Sequence, residues 1–358
     1  MCQNCVPTAA DPGSDAFAER MIEMINAAAL APMISIGHRT GLFDAMDGLG
    51  PKTSVEIAEA AALVERYVRE WLGAMVTGRI VEFDPETRTY DLPEAHARWL
   101  CRRGKLENIA STMQWFSVLG QVEDDIVACF RNGGGVPYER FARFHDVMAE
   151  ESDQTTVGGI DGGMLDLDPA LRGRLEAGID VLDIGCGRGH ALIELAVRFP
   201  NSRFRGYDFN PSAIGHARET ASRRGVTNVE FMVQDVAALP DVDAFDLVTA
   251  FDAVHDQADP AAVLRNVRTA LRADGRFLMQ DIAGSSHVEK NLDMPLAPMV
   301  YTISCMHCMT VSLAQGGAGL GAAWGEEKAA EMLEAAGFEV MTKASLEHDI
   351  MNTYVIAR

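Results

Sequence analysis

The segment Val181–Gly189, Val-Leu-Asp-Ile-Gly-Cys-Gly-Arg-Gly, constrains the fold more than any other stretch of this chain. Val181 to Ile184 reads as a short buried strand. Glycines follow at 185, 187 and 189, and a helical pattern runs from Ala191 to Arg198. A strand that enters a helix through such a turn brings backbone close to a ligand without Cβ interference. The alternation then continues. Strands are expected at 204–208, 229–233, 245–251, 276–281, 338–341 and 353–356, and helices at 211–224, 260–271 and 326–336. Repeated strand–helix units predict an α/β fold, a doubly wound Rossmann-like sheet of seven strands, mostly parallel. Its domain is expected over 173–358, with 283–325 as an insertion near the carboxyl edge, where ligands bind in such sheets.

The turn selects among nucleotide ligands. A dinucleotide fingerprint wants Gly or Ala where this chain has His190, and no Gly-Lys-Ser/Thr follows as in a P-loop. Asp208 closes the second strand, 19 residues after Gly189. A carboxylate there accepts hydrogen bonds from ribose hydroxyls. Asp235 follows the third strand and can accept from an adenine amino group. Asn210-Pro211 starts the next helix, with proline at its favoured first position.

Asp183-x-Gly185-x-Gly187-x-Gly189, Asp208, Asp235 and the strand Phe245–Phe251 stand in the order and spacing of the class I S-adenosylmethionine-dependent methyltransferases, which residues 175–358 resemble. The resemblance implies S-adenosylmethionine as cofactor, a small-molecule methyl acceptor and O-methylation. The cofactor residues it implies are Asp183, Gly185, Cys186, Gly187, Gly189, Asp208, Phe209, Asp235, Val236, Phe251 and Asp252. It also implies His255 as general base, oriented by Asp281. A neutral imidazole suits that work because its ordinary pKa lies near working pH. A third carboxylate of the family pattern would fall near Ala323-Trp324, where this chain has none.

The N-terminal half extends the resemblance. Thr53 or Ser54 can cap a helix through Ala60, and a second helix carries Val64, Tyr67, Val68, Trp71 and Leu72 on one stripe. Two short strands at 80–83 and 89–92 flank the turn Asp84–Thr87. Helix, turn, helix and hairpin make a winged helix, expected over 19–104 behind a mobile tail, 1–18. A helical connector is expected over 105–172. This order is similar to that of winged-helix small-molecule O-methyltransferases, in particular an actinobacterial subgroup with a Cys-Met-rich insertion. The resemblance implies a homodimer through the winged-helix domain. Acceptor-facing residues are expected at Trp115 and Phe116, and at Tyr301, Met306 and His307 of the insertion. Its five glycines between 316 and 325 suggest a substrate lid or a tight backbone path.

Composition narrows the partners. Net charge is −21, and residues 53–101 hold nine acidic against five basic residues, so nucleic acid and anionic membrane are not expected. The longest apolar candidate for a span, Met24–Ile36, is short and holds Pro32, and 1–20 lacks signal-peptide pattern. Seven cysteines fit reduced thiols in a cytoplasmic protein. The pairs Cys2-x-x-Cys5 and Cys305-x-x-Cys308 lie too far apart for a zinc ribbon, and no metal is expected. Two other readings stand beside the first. One is a thiol- or metalloid-directed methyltransferase using Cys305 and Cys308. The other is a winged-helix regulator that senses the cofactor.

Overall fold

The computed structural model describes residues 12–161 and 163–358, which divide into two compact units, one up to Ser117 and one from Val118 on. The expected boundary after residue 104 therefore falls after Ser117. Residues 105–117 join the first unit, and 118–172 join the second. Of the expected tail, 1–11 lie outside the described residues, among them Cys2 and Cys5, whereas 12–18 are helical. A helix runs Pro12–Thr40; proline opens it and Asp15 lies in its first turn, both favourable at that end.

In the first unit, the helices Ser54–Ala60 and Glu65–Thr77 and the hairpin β1 (Glu82–Asp84) and β2 (Thr89–Asp91) form the winged helix. The Thr53 side chain caps the first of these helices, and Glu56 returns a bond to the Thr53 backbone. Trp71 packs edge-on against Phe43 at 5.1 Å and donates its indole N–H to the Met33 carbonyl at 2.8 Å. Gly37 is required there, because a Cβ would lie 2.6 Å from the Trp71 ring. On the helix Glu65–Thr77, Arg66 pairs with Glu70 and Arg69 with Glu65, so its basic side chains are neutralised within the helix.

The second unit is built on a sheet ordered β5-β4-β3-β6-β7-β9-β8. Its strands are β3 (Asp180–Ile184), β4 (Arg203–Asp208), β5 (Val229–Val233), β6 (Phe245–Phe251), β7 (Leu271–Ile282), β8 (Val340–Ala344) and β9 (Asn352–Ala357). β5 through β7 pair in parallel, whereas β9 is antiparallel to both β7 and β8. Burial drives the sheet. Leu182, Val248 and Phe277 are fully buried in one apolar cluster, and Leu192, Ile214 and Leu278 in another. Each such side chain contributes about 1.5–3 kcal/mol.

The chain order reverses between β3 and β6, so a crevice opens beyond their carboxyl ends. The expected lid, 283–325, is no loose loop. It contains an 18-residue helix, Ala297–Ala314, with a π-helical turn at Ser304–Cys308. Its glycines mark a tight backbone path: a Cβ on Gly317 would lie 2.4 Å from Ala258, and one on Gly325 2.0 Å from the Ser286 nitrogen. This helix and Gly13–Thr40 are long and apolar enough, by length and composition alone, to cross a membrane.

Candidate active site

Glycines at the exit of β3 adopt positive φ, 66° at Gly185, 52° at Gly187 and 72° at Gly189. Gly189 has no room for a side chain, since a Cβ would come within 2.4 Å of the Phe231 ring. Gly187 meets nothing within 4 Å and borders a cavity of about 370 Å³. That size suits a small molecule.

Two carboxylates organise one end of this cavity. Asp208 ends β4 and accepts from the Gly187 N–H at 2.9 Å and the Asn210 N–H at 2.8 Å. Burial pushes its carboxyl up, and the two N–H bonds and His145 oppose that. Asp235, after β5, caps a short turn by accepting from the Ala237 N–H at 2.9 Å. Deeper in, Asp183 is buried and accepts from the Thr249 hydroxyl at 2.7 Å. Burial raises its carboxyl to about 7, against the Thr249 bond. The cavity is lined by Asp183, Gly185, Cys186, Gly187, Gly189, Asp208, Phe209, Asp235, Val236, Phe251 and Asp252, which brings all eleven expected cofactor residues together.

A buried cluster beside the cavity is organised differently. His255 and Asp281 are 3% and 2% exposed, and Nδ1 of the histidine lies 2.8 Å from Oδ1 of the aspartate. Burial disfavours the charged imidazole, yet Asp281 and the Cys308 thiol, within hydrogen-bonding reach, hold its pKa well above the ordinary value. Asp281 Oδ1 also accepts from the Ile282 N–H at 2.8 Å and from the indole N–H of Trp324 at 3.0 Å. A neutral donor thus contacts the dyad from the stretch where the family pattern would place another carboxylate. Neither His255 nor Asp281 lines the cavity; Asp252 and Asp256 do.

The expected acceptor residues are not brought to the cavity wall. Tyr301, Met306 and His307 do not line it. Tyr301 is partly exposed, its hydroxyl accepting from Asn291 at 3.0 Å. His307 is buried because aromatic rings enclose it. It stacks on Phe144 at 4.1 Å and meets Phe141 and Tyr138 edge-on. Burial and the neighbouring histidines push its pKa down to about 3, so the ring is neutral. Trp115 and Phe116 belong to the first unit, the former buried and the latter exposed.

The wall contains residues the sequence reading did not single out as site residues. Tyr138 and Phe144 border the cavity, and the Tyr138 hydroxyl donates to Asp256. His145 borders it too, its Nε2 accepting from Asn210 at 2.9 Å. These side chains come from a helical stretch with no motif; its dense aromatic content was the one available signal.

Known proteins share both units. Residues 28–102 match the Rv2258c-like winged HTH domain, and residues 175–337 match a methyltransferase domain. The chain is 25% identical over 132 residues to (S)-coclaurine N-methyltransferase of Thalictrum flavum subsp. glaucum, covering 37% of this chain and 36% of that protein. It is 35% identical over 125 residues to aklanonic acid methyltransferase of Streptomyces sp. strain C5, covering 34% and 54%. Matched stretches thus span about half or less of these relatives' lengths. Two solved structures share the fold across nearly the whole chain. The mitomycin 7-O-methyltransferase has a TM-score of 0.69 at 19% identity, covering 97% of this chain and 100% of that one. Human N-acetylserotonin methyltransferase in complex with SAM has 0.67 at 16% identity, with 99% of each chain covered. The chain therefore carries, in order, a region that matches an Rv2258c-like winged HTH domain and a region that matches a methyltransferase domain.

Proposed function

We propose that this protein transfers the methyl group of S-adenosylmethionine to an oxygen of a small-molecule acceptor. The observation that carries the reading is the pair of carboxylates, Asp208 and Asp235, at successive strand ends beside a glycine turn whose own N–H holds the first of them. That arrangement fits a nucleoside, with Asp208 on the ribose hydroxyls and Asp235 on the adenine amino group. Gly187 fits it as well, because the space beside its Cα opens to the cavity. When bound, the cofactor supplies a methyl group already activated on a sulfonium.

The chain's own work is to align the acceptor, exclude water and receive the acceptor's proton. The deprotonated form of His255 receives it, and Asp281 fixes the ring through Nδ1 and strengthens it as a base. Trp324 and the Ile282 N–H hold Asp281 in turn. His307 lies one ring removed from the cavity, stacked on Phe144, which borders it.

The protein works in the cytoplasm as a homodimer through its winged-helix unit, free of nucleic acid and membrane. An exposed apolar row on the first helix, Phe17, Met21, Ile22, Met24 and Ile25, supports the dimer. The internally paired charges of the helix Glu65–Thr77 argue against a DNA phosphate contact. Calorimetry with S-adenosylmethionine and S-adenosylhomocysteine tests the main reading. Saturable binding that Asp208→Ala abolishes is the expected result, and binding of a pyridine dinucleotide alone overturns it. Light scattering tests the dimer.

A further inference from the structure

The wall of the cavity is strongly acidic. Asp183, Asp208, Asp235, Asp252, Asp256 and Asp259 all border it, and among the described residues Arg188 is the one arginine or lysine that does. Two histidines border it as well. Burial pushes the pKa of His145 below its ordinary value, so that ring is neutral near pH 7. His190 directs Nδ1 at Asp153, 2.8 Å away. Arg188 is therefore the permanent cation of the wall, since a guanidinium stays protonated at any working pH.

Its donors are only partly used. Arg188 lies in the glycine turn between Gly187 and Gly189, and its Nη1 is 2.7 Å from Oδ1 of Asp146. Asp146 belongs to the helix Phe144–Ser152, several of whose residues border the cavity. Nε of Arg188 is buried and has no hydrogen-bond partner among the described residues. A buried N–H on a charged group without an acceptor is costly. A guanidinium presents its N–H groups as a planar fork that fits both oxygens of a carboxylate. Asp146 occupies one arm of the fork, and the edge that holds Nε is left for a second anion.

We propose that Arg188 holds the carboxylate of the methionyl group of S-adenosylmethionine on its Nε edge. The assignment rests on the cofactor reading and names the residue that receives the cofactor's one anionic group. That cofactor carries two positive centres, the sulfonium and the amino group, and an aspartate-rich wall suits both. Its carboxylate is repelled by the same aspartates and finds a fixed positive charge only at Arg188. The covalent layout agrees. The methionyl chain is joined to the ribose through the sulfur. Gly187, whose N–H holds Asp208 at 2.9 Å, immediately precedes Arg188. A sugar on Asp208 therefore brings the amino-acid end to the same turn.

Calorimetry on the full chain with three ligands provides the test. S-adenosylmethionine and S-adenosylhomocysteine carry the carboxylate, whereas methylthioadenosine keeps the nucleoside and the sulfur without the amino-acid group. In Arg188→Gln, affinity for the first two is expected to fall about 30-fold, the scale of a lost charge-assisted pair, while methylthioadenosine binds as it does to the wild type. Retained binding of methylthioadenosine also shows that the variant is folded and its turn intact. An equal loss for all three ligands overturns the proposal, because it marks a structural role for Arg188. Unchanged affinity of Arg188→Gln for S-adenosylmethionine overturns it as well. The two readings fail separately: wild-type binding of all three ligands without discrimination by Arg188→Gln sinks only the carboxylate site, and wild-type binding of none sinks the cofactor reading on which it rests.

Discussion

The cavity around Asp208 and the buried cluster around Asp281 are built on different principles. At the Asp208 end the protein recognises with backbone: glycine φ angles, the N–H groups of Gly187 and Asn210, and carboxylates whose oxygens are largely occupied. At the Asp281 end it works with buried side chains, and two carboxylate oxygens lack hydrogen-bond partners among the described residues. The contrast separates their tasks. Binding a nucleoside calls for a fixed, satisfied cradle. Handling a proton calls for charge held in a low-dielectric interior, where each missing partner matters more.

The largest effect should come from breaking the first end. Gly187→Asp forces a side chain onto a backbone at φ 52° and sends a carboxylate into the cavity. Binding of S-adenosylmethionine should fall by roughly 1,000-fold or more, since strain and charge act together. Unchanged calorimetry would remove the cofactor from this turn.

Breaking the second end should leave binding intact. His255→Ala is expected to keep cofactor affinity while turnover drops by roughly 100-fold or more, the scale of a lost general base. An unaltered rate removes the ring from the chemistry. Trp324→Phe is a finer cut, deleting one N–H from Asp281 and keeping most of the ring's bulk. About a tenfold loss in kcat with the cofactor KM unchanged is expected from a lost hydrogen bond to a charged group. An equal loss in a Trp324→His variant that can still donate would argue for packing over positioning.

Asp183 lies between the two ends and carries a pH signature. Its carboxyl is held near pKa 7 by burial in the folded protein, above its ordinary value of 3.8. The folded state therefore keeps a proton between about pH 4 and pH 7 that the unfolded state has released. Stability from this group is greatest at the acid side, falls as pH rises through that window and levels off above it. Asp183→Asn should remove the slope, so its unfolding midpoint gains on the wild type from pH 5 to pH 7.5. Parallel curves would mean that Asp183 titrates normally. The smallest effect lies in the other unit. Thr53→Ala removes a capping box and should cost about 1 kcal/mol in that unit, with no change in cofactor affinity.

Residue patterns made the first end legible. Glycine spacing and an aspartate at a strand terminus are local signals, and helix start and stop residues such as Asn210-Pro211 act within a turn of chain. The second end was legible only in part. His255 and Asp281 could be named, but not the indole that holds Asp281 from 43 residues away, nor the partnerless oxygens. His307 illustrates the limit. Its neighbours Cys305, Met306 and Cys308 suggested an acceptor wall, whereas the rings of Phe141 and Phe144, more than 160 positions earlier, decide that it is buried and neutral.

By itself, the order of residues determined the strands, the glycine turn, the winged helix and the carboxylates at successive strand ends, because each rests on periodicity or on conformations that few residues tolerate. Tertiary structure alone decided that Asp252 and Asp281 become neighbours, that Trp324 closes on one of them, and that the Gly-rich stretch is a tight path and not a loose lid. Those outcomes depend on strand register and close packing between segments distant in the chain, and no local pattern encodes which distant atoms will meet.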